Sequence, residues 1–425
     1  MNDLTNGQLG KYQLRRLLGK GASGSVYLGV DTFSKAVVAV KVIDSRVFED
    51  PAHGEIHRQQ FLNEASLAGK LEHPHIVSIL DAVVTGKPSY VAMEYVAGGN
   101  LTQLLGAKPV PVEDAIQIGF KCCGALDYAF KQGIVHRDIK PANIMVAQGT
   151  DVKIADFGAA YLKSSAPTET VNIGSPAYMS PEQIEGGELS LQSDMFSLGI
   201  VLYELLTGRR PFVAPDVPAL LQQVLKAEPA APSKTRPDIP PELDKAVLAA
   251  LRKNPRDRYP TWAHFALELA KLGGLRFQGP LVPDSERFAS LRQSEMLDKL
   301  DDAQMWQLVK AGRWKRLAPR TVLIREGEGG NSLFFLAKGQ LKVTKQGRLL
   351  NMIGAGECFG EMSYIRGDTR QATVESLTEV VLAEVDQAAL ERLSVECQLH
   401  FTRAVLRTVV DRLAFADTRV TQPSQ

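Results

Sequence analysis

The sequence predicts an α+β chain with two folded parts. Three observations carry this reading. Strand patterns broken by glycine, with one helical stretch among them, occupy residues 12–95, helical periods dominate from 101 to 272, and short glycine-punctuated strands return after 320. Strands gathered ahead of helices, rather than alternating with them, argue against a parallel βαβ sheet. A chain of 425 residues exceeds one ordinary core and fits two or three domains.

The elements follow in order. Residues 12–18, 25–30 and 36–43 are β-branched or alternating and read as strands. From 57 to 71, Phe61, Leu62, Ala65, Leu67 and Ala68 recur at helical spacing. Strands at 76–84 and 89–95 come next, then helices at 101–106, 112–132, 193–207, 216–226, 242–253 and 261–272. The stretch 273–286 (GGLRFQGPLVPDSE) is rich in glycine and proline and reads as a linker. The expected domains are therefore 11–272 and 287–417. A rival boundary at the Pro-rich 228–241 is set aside because the helices on both sides belong to one lobe. After the linker a polar helix is expected at 294–311, followed by strands at 321–326, 332–337, 340–346, 349–353, 371–376 and 379–385. Such a series predicts a small β-barrel or jelly roll. Helices at 387–394 and 396–416 close the pattern. Leu406, Val409, Val410 and Leu413 make an apolar stripe on the last one, which either packs on the barrel or forms a homodimer seam.

Composition narrows the function classes. Apolar residues are 44% and charged residues 23%, which excludes a collagen, a disulfide scaffold and a long disordered chain. With 49 basic and 48 acidic residues the net charge is +1, so no overall field draws the protein to nucleic acid. The cysteines are Cys122, Cys123, Cys358 and Cys397, with no CxxC pair, so no structural zinc is expected. The start of the chain has no basic-then-apolar leader and no run of 18 apolar residues occurs. These features predict a cytoplasmic protein without a membrane span.

Gly19-Lys20-Gly21-Ala22-Ser23-Gly24 lies between two strand patterns. Alone it is an ordinary turn, or the glycine spacing of a dinucleotide-binding fold; here it leads into a strand, not a helix. A glycine hairpin lets backbone N–H groups lie over phosphates. Lys41 stands on an apolar strand, where a charge needs anionic partners; Glu64 on the first helix is the natural carboxylate. His136-Arg137-Asp138-Ile139-Lys140-Pro141-Ala142-Asn143, then Asp156-Phe157-Gly158 and Ser180-Pro181-Glu182, follow in order.

This ordered set resembles the protein kinase family over about residues 11–272. The resemblance implies a bilobal fold with ATP and Mg2+ between the lobes. It makes Asp138 the acceptor of the substrate hydroxyl proton, Lys140 a partner of the transferring phosphate, and Asn143 and Asp156 the metal ligands. Lys41, oriented by Glu64, would hold the α/β-phosphates. Backbone at Glu94 and Val96 would pair with adenine, and Val26, Ala39 and Met145 would sandwich the ring. Lys140 and the hydroxyl of Ser175 resemble serine/threonine kinases, whereas tyrosine kinases show an Ala/Arg combination in the catalytic loop. Ser180 replaces the usual alanine. Asn100 and Ala142 replace glutamates that hold substrate arginines in cyclic-nucleotide-dependent kinases, so an arginine-directed specificity does not carry over. Arg137 beside Asp138 points to control by phosphorylation, with Thr168 and Thr170 as acceptors in the activation loop; a solvated polar loop is the alternative.

Val322–Glu328, Ser332–Leu336, Gly339–Val343 and Phe359-Gly360-Glu361-Met362-Ser363-Tyr364, with Arg370-Gln371-Ala372 beyond, resemble the cyclic nucleotide-binding domain family. The resemblance implies a phosphate held at Gly360–Ser363 and by Arg370, with Glu361 accepting from a ribose hydroxyl. The alternative is that Glu361 and Arg370 pair with each other in an empty barrel. Gln371 stands where small or hydroxyl residues usually follow, so the base stays open. No helix-turn-helix is expected after the last helix. The leading expectation is a serine/threonine kinase acting on protein substrates, with a cyclic-nucleotide effector. The rivals are a scaffold whose barrel dimerises without nucleotide, and a transcription regulator.

Overall fold

Six antiparallel strands open the chain: β1 (Gln8–Leu9), β2 (Tyr12–Lys20), β3 (Gly24–Asp31), β4 (Val37–Ile43), β5 (Ile79–Val83) and β6 (Tyr90–Glu94), in the order β1-β2-β3-β4-β6-β5. This is a computed structural model, and it describes residues 4–21, 24–50, 54–85, 88–106, 110–162, 175–274, 282, 284–366 and 369–420. Period-two burial along β3 gives the sheet two faces. Tyr12, Leu14, Tyr27, Val38, Val40 and Tyr90 pack on one of them. Ile43, Phe61 and Val91 pack on the other, and Phe61 seats helix α1 (Gly54–Ser66) there.

Helices follow: α2 (Leu101–Leu105), α3 (Val112–Lys131), α4 (Pro181–Ile184), α5 (Leu191–Thr207), α6 (Val217–Lys226), α7 (Pro241–Ala250) and α8 (Trp262–Gly274). The α5 sequence is apolar on nearly every face, so the helix lies in the middle of the core with α3 against it. Ser190 caps its start, and Gly208 at φ 72° ends it in the left-handed region. Two small ladders hold the loops between α3 and α4: β7 (Ile134–Val135) with β10 (Tyr161–Leu162), and β8 (Ile144–Gln148) with β9 (Asp151–Ile154).

The chain divides into two units, Met1–Leu272 and Gly273–Gln425. The second begins with α9 (Asp284–Arg292) and α10 (Asp302–Ala311). It continues through β11 (Arg313–Leu317), β12 (Val322–Ile324), β13 (Ser332–Lys338), β14 (Leu341–Lys345), β15 (Arg348–Ile353), β16 (Cys358–Phe359), α11 (Glu361–Arg366), β17 (Thr373–Ser376) and β18 (Val380–Asp386), ending in α12 (Gln387–Leu390) and α13 (Val395–Val420). Two antiparallel sheets, β11-β18-β13-β16 and β12-β17-β14-β15, share one core of Ile324, Phe334, Leu341, Phe359, Val374 and Leu382. This is the expected jelly-roll arrangement of a small β domain with terminal helices.

Three expectations change in detail. The helix expected at 294–311 is a 3-10 turn at Glu295–Leu297 followed by α10, because Asp301 and Gln304 form a reciprocal capping box that starts a new helix. The stretch expected to link the domains is helical at both ends, since α8 runs to Gly274 and α9 starts at Asp284. The helix expected at 387–394 ends at Leu390. All four cysteines are buried and unbridged. Among the described residues no helix is long and apolar enough to cross a membrane.

Candidate functional site

The glycine loop sits at the β2–β3 hairpin, closed by the Gly21 N–H donating to the Gly24 carbonyl at 2.8 Å. A Cβ on Gly24 would lie 2.1 Å from the Val42 carbonyl oxygen, so the close approach of β4 demands glycine. Gly19 meets nothing within 4 Å, and Gly21 only the Gly24 oxygen at 3.9 Å. Their lack of a side chain is not explained by packing. Lys20 ends β2, opposite Ser25. Ala22 and Ser23 lie outside the described residues.

Register brings the next groups together. Val26 on β3 faces Lys41 on β4, and Ala39 and Val38 on β4 face Met93 and Glu94 on β6. Ala39 and Val96 are buried, while Val26 and Met145, on β8, are half-buried. Glu94 holds Lys153 at 2.7 Å and takes a backbone bond to Ser78, which fixes the chain as it leaves β6.

Lys41 Nζ donates to Glu64 Oε2 at 2.8 Å and to Asp156 Oδ1 at 3.0 Å. Burial works against the lysine charge, but the two carboxylates outweigh it and raise its pKa. Glu64 is the most buried of the three, and burial pushes its carboxyl up against the pull of Lys41. Asp156 moves down, since Lys41 outweighs its burial, and its side chain is 46% exposed. Asp156 stands at φ 61° and Arg137 at φ 68°, two left-handed non-glycine residues within one site.

Asp138 is held from three sides. Its Oδ2 accepts from Lys140 Nζ at 2.6 Å and Asn143 Nδ2 at 3.0 Å, and its Oδ1 accepts from the Ser175 N–H at 3.2 Å. Lys140 Nζ also donates to Ser175 Oγ at 3.0 Å. Ser175 is thereby tied to the Asp138 loop. Thr168 and Thr170 lie outside the described residues.

Sequence reasoning missed the group that anchors this loop. Buried Asp194, on α5, accepts from the N–H groups of His136 and Arg137 at 2.7 and 2.8 Å. His136 reaches the Ala155 carbonyl at 3.1 Å and packs against Phe157 with ring centroids 4.5 Å apart. The loops carrying Asp138 and Asp156 are therefore fixed to each other and to the core. A signal was present: an aspartate in the first turn of a largely apolar helix. Arg258 was missed too; it makes a bidentate, buried pair with Glu182 at 2.7 and 2.9 Å.

The donor chemistry fits magnesium and a triphosphate. Asn143 spends its amide hydrogens on Asp138, at the backbone carbonyl (2.9 Å) and the carboxylate, which turns its Oδ1 elsewhere. Asp156 is kept ionised and half exposed. Magnesium takes one or two such protein oxygens and completes its shell with phosphate and water.

The second unit holds a cavity of about 1370 Å³ whose lining includes Ile324, Val343, Val374, Gly360, Glu361 and Arg370. Arg370 is 7% exposed, donates to the Gly360 carbonyl at 3.1 Å and lies 5.5 Å from the centroid of the Phe334 ring. Two glycines make room for it: a Cβ on Gly330 would lie 2.4 Å from its Nε, and one on Gly360, at φ +84°, 2.8 Å from its Nη1. Burial pulls its pKa below the usual guanidinium value. Glu361 is buried at the start of α11, and Met362 and Ser363 follow it in that helix. Gln371 lines the same cavity and donates to the Thr369 carbonyl at 3.1 Å.

Two family models match the chain. The model of the protein kinase domain matches residues 12–268, and that of the cyclic nucleotide-binding domain matches 314–396. The chain is 37% identical over 294 residues to serine/threonine-protein kinase PknB of Mycolicibacterium smegmatis, covering 66% of this chain and 46% of that protein. It is 41% identical over 263 residues to the probable serine/threonine-protein kinase SCO3848 of Streptomyces coelicolor, covering 59% and 38%. The chain thus spans less than half the length of these curated relatives. The crystal structure of the Mycobacterium tuberculosis PknI kinase domain aligns with a TM-score of 0.50 and 28% identity, covering 64% of this chain and 99% of that one. With more than half of its length matched by the kinase model, the chain belongs to the protein kinase family.

Proposed function

We propose that the chain is a serine/threonine protein kinase, with residues 11–272 carrying catalysis, 273–286 as linker and 287–417 as a ligand-binding regulator. The observation that carries the catalytic part is the Asp138 carboxylate, held by Lys140, Asn143 and Ser175 together. Asp138 takes the proton of the substrate Ser or Thr hydroxyl as its oxygen bonds to the γ-phosphorus and the bond to the ADP oxygen breaks. Lys140 neutralises charge on the phosphoryl group in transit. Lys41, aimed by Glu64, holds the α/β-phosphates, and the backbone of Gly19–Gly24 covers them. Asn143 and Asp156 would hold magnesium, which would supply neutralisation of phosphate charge. Backbone at Glu94 and Val96 pairs with adenine, which Val26, Ala39 and Met145 enclose. Thr168 and Thr170 are phosphate acceptors that order the activation loop through Arg137. A cytoplasmic location accords with four unbridged cysteines. The test supplies Mg-ATP and peptides that differ only in carrying Ser, Thr or Tyr at one position. Phosphate on the Ser and Thr peptides supports the reading; phosphate on the Tyr peptide alone overturns it.

Buried Arg370, in a cavity with room for a nucleotide, supports a cyclic nucleotide or a related phosphorylated effector. Calorimetry of the full chain against cyclic AMP and cyclic GMP decides it. A second reading rests on α13. Its inner face buries Cys397, Phe401, Ala404 and Val405, while Leu399, Leu406 and Val410 stay 47%, 60% and 55% exposed on another face. That face fits a second copy of the chain, so the barrel would serve as a dimerising scaffold. Light scattering that finds a dimer indifferent to nucleotide favours this reading.

A further inference from the structure

Helix α1 carries Glu64, yet little apolar surface holds it in place. Among its described residues only Gly54, Phe61 and Glu64 are buried, and its apolar contact with the sheet centres on Phe61. A helix so weakly seated depends on polar ties for its position. One tie is the Lys41–Glu64 pair, which the proposed chemistry uses. A second lies one residue away. Asn63 Nδ2 donates to the Ala160 carbonyl at 3.2 Å, and Asn63 Oδ1 accepts from Gln59 Nε2 at 2.9 Å. The two neighbours fix the amide orientation, since only this way round are donor and acceptor both matched. Ala160 is buried and directly follows the turn Phe157–Ala159, which begins at Asp156. Gly158 lies against the same helix: a Cβ there would be 3.5 Å from the Gln60 carbonyl oxygen.

We propose that Asn63 is a positioning residue of the kinase site, tying α1 to the chain at Ala160 so that Glu64 and Asp156 reach Lys41 together. Glu64 comes from the helix and Asp156 from the loop, and Lys41 Nζ meets both. Asn63 spans the same helix and loop on the far side of Asp156 in sequence. It acts through the placement of Glu64 and touches no reacting atom. This inference rests on the kinase reading and adds a residue to it.

The test measures kcat/KM for Mg-ATP in the full chain, with thermal denaturation alongside. Asn63→Ala removes the tie and is expected to lower kcat/KM by about threefold to tenfold, the range for one neutral hydrogen bond. Asn63→Asp keeps the shape and the acceptor for Gln59 but sets a carboxylate oxygen against the Ala160 carbonyl, so its loss is expected to be larger than that of alanine. In a Glu64→Gln background, adding Asn63→Ala is expected to cost less than about twofold more, because residues acting through one group do not add. Full activity in Asn63→Asp, or an Asn63→Ala loss of the same size in both backgrounds, overturns the proposal. A wild-type chain that transfers no phosphate removes the kinase reading and this inference with it. An active wild type with unaffected Asn63 variants removes this inference alone.

Discussion

Gly19, Gly21 and Gly24 share one loop but not one reason for lacking a side chain. Gly24 is pressed against the Val42 carbonyl, whereas Gly19 and Gly21 face open space. Gly24→Ala is therefore expected to cost about 1–3 kcal/mol of stability through overpacking. Gly19→Ala should leave the melting temperature unchanged and raise the KM for ATP; denaturation and kinetics on the two variants separate the roles. Lys41 sets a second expectation. Its pKa is raised, so its pairing with Glu64 and Asp156 is fully present below the ordinary lysine value and is lost only as pH climbs through the higher folded value. Lys41→Met leaves Glu64 buried beside Asp156 with no cation, which lifts the Glu64 pKa, already raised by burial, further above its unfolded value. The folded variant then binds more protons than the unfolded chain, so its stability rises as pH falls. The deficit against wild type, about 3–5 kcal/mol for a broken buried pair, should be smaller at pH 5 than at pH 8 by thermal denaturation. A pH-independent deficit would count against this account. At this scale residue types and spacing made Lys41, Glu64, Asp138 and Asp156 visible in the sequence. Asp194 showed only as a charge in a largely apolar helix, and its role did not, because its partners are backbone N–H groups, which have no letter in a sequence.

The elements show where periodicity carries and where it does not. Long segments with one apolar pattern, such as α3 and α5, stand close to their expected bounds. The two-residue strands β7 and β10 give no pattern, because too few side chains alternate to show a period. The split between Glu295 and α10 was written in the sequence as Asp301 with Gln304 three residues on, but the polar character of the whole stretch hid it. At the end of the chain, α13 presents an exposed apolar face at Leu399, Leu406 and Val410. If that face joins two copies, Leu406→Glu should shift the full chain from dimer to monomer in light scattering and leave its melting profile as a monomer intact. An unchanged mass in both proteins would remove the seam.

For the whole molecule, the two sites have separate signatures. Arg370 is enclosed by Gly330, Gly360 and Phe334, so its removal takes away a charged contact worth roughly 1.5–3 kcal/mol. On the proposed reading of the barrel as a cyclic nucleotide site, Arg370→Ala should weaken that binding by about tenfold to a hundredfold in calorimetry. A ligand of the barrel would control the kinase only by binding active and inactive states unequally. A ligand that binds through Arg370 and leaves the phosphorylation rate unchanged would make the barrel a site without a switch. The role of Asp138 is tested by transfer of the γ-phosphate from Mg-ATP to a Ser or Thr peptide by the full chain, wild type against Asp138→Asn. Wild type is expected to transfer phosphate and the variant to lose that transfer by orders of magnitude, with ATP binding and melting temperature retained. Transfer by Asp138→Asn at the wild-type rate would contradict it.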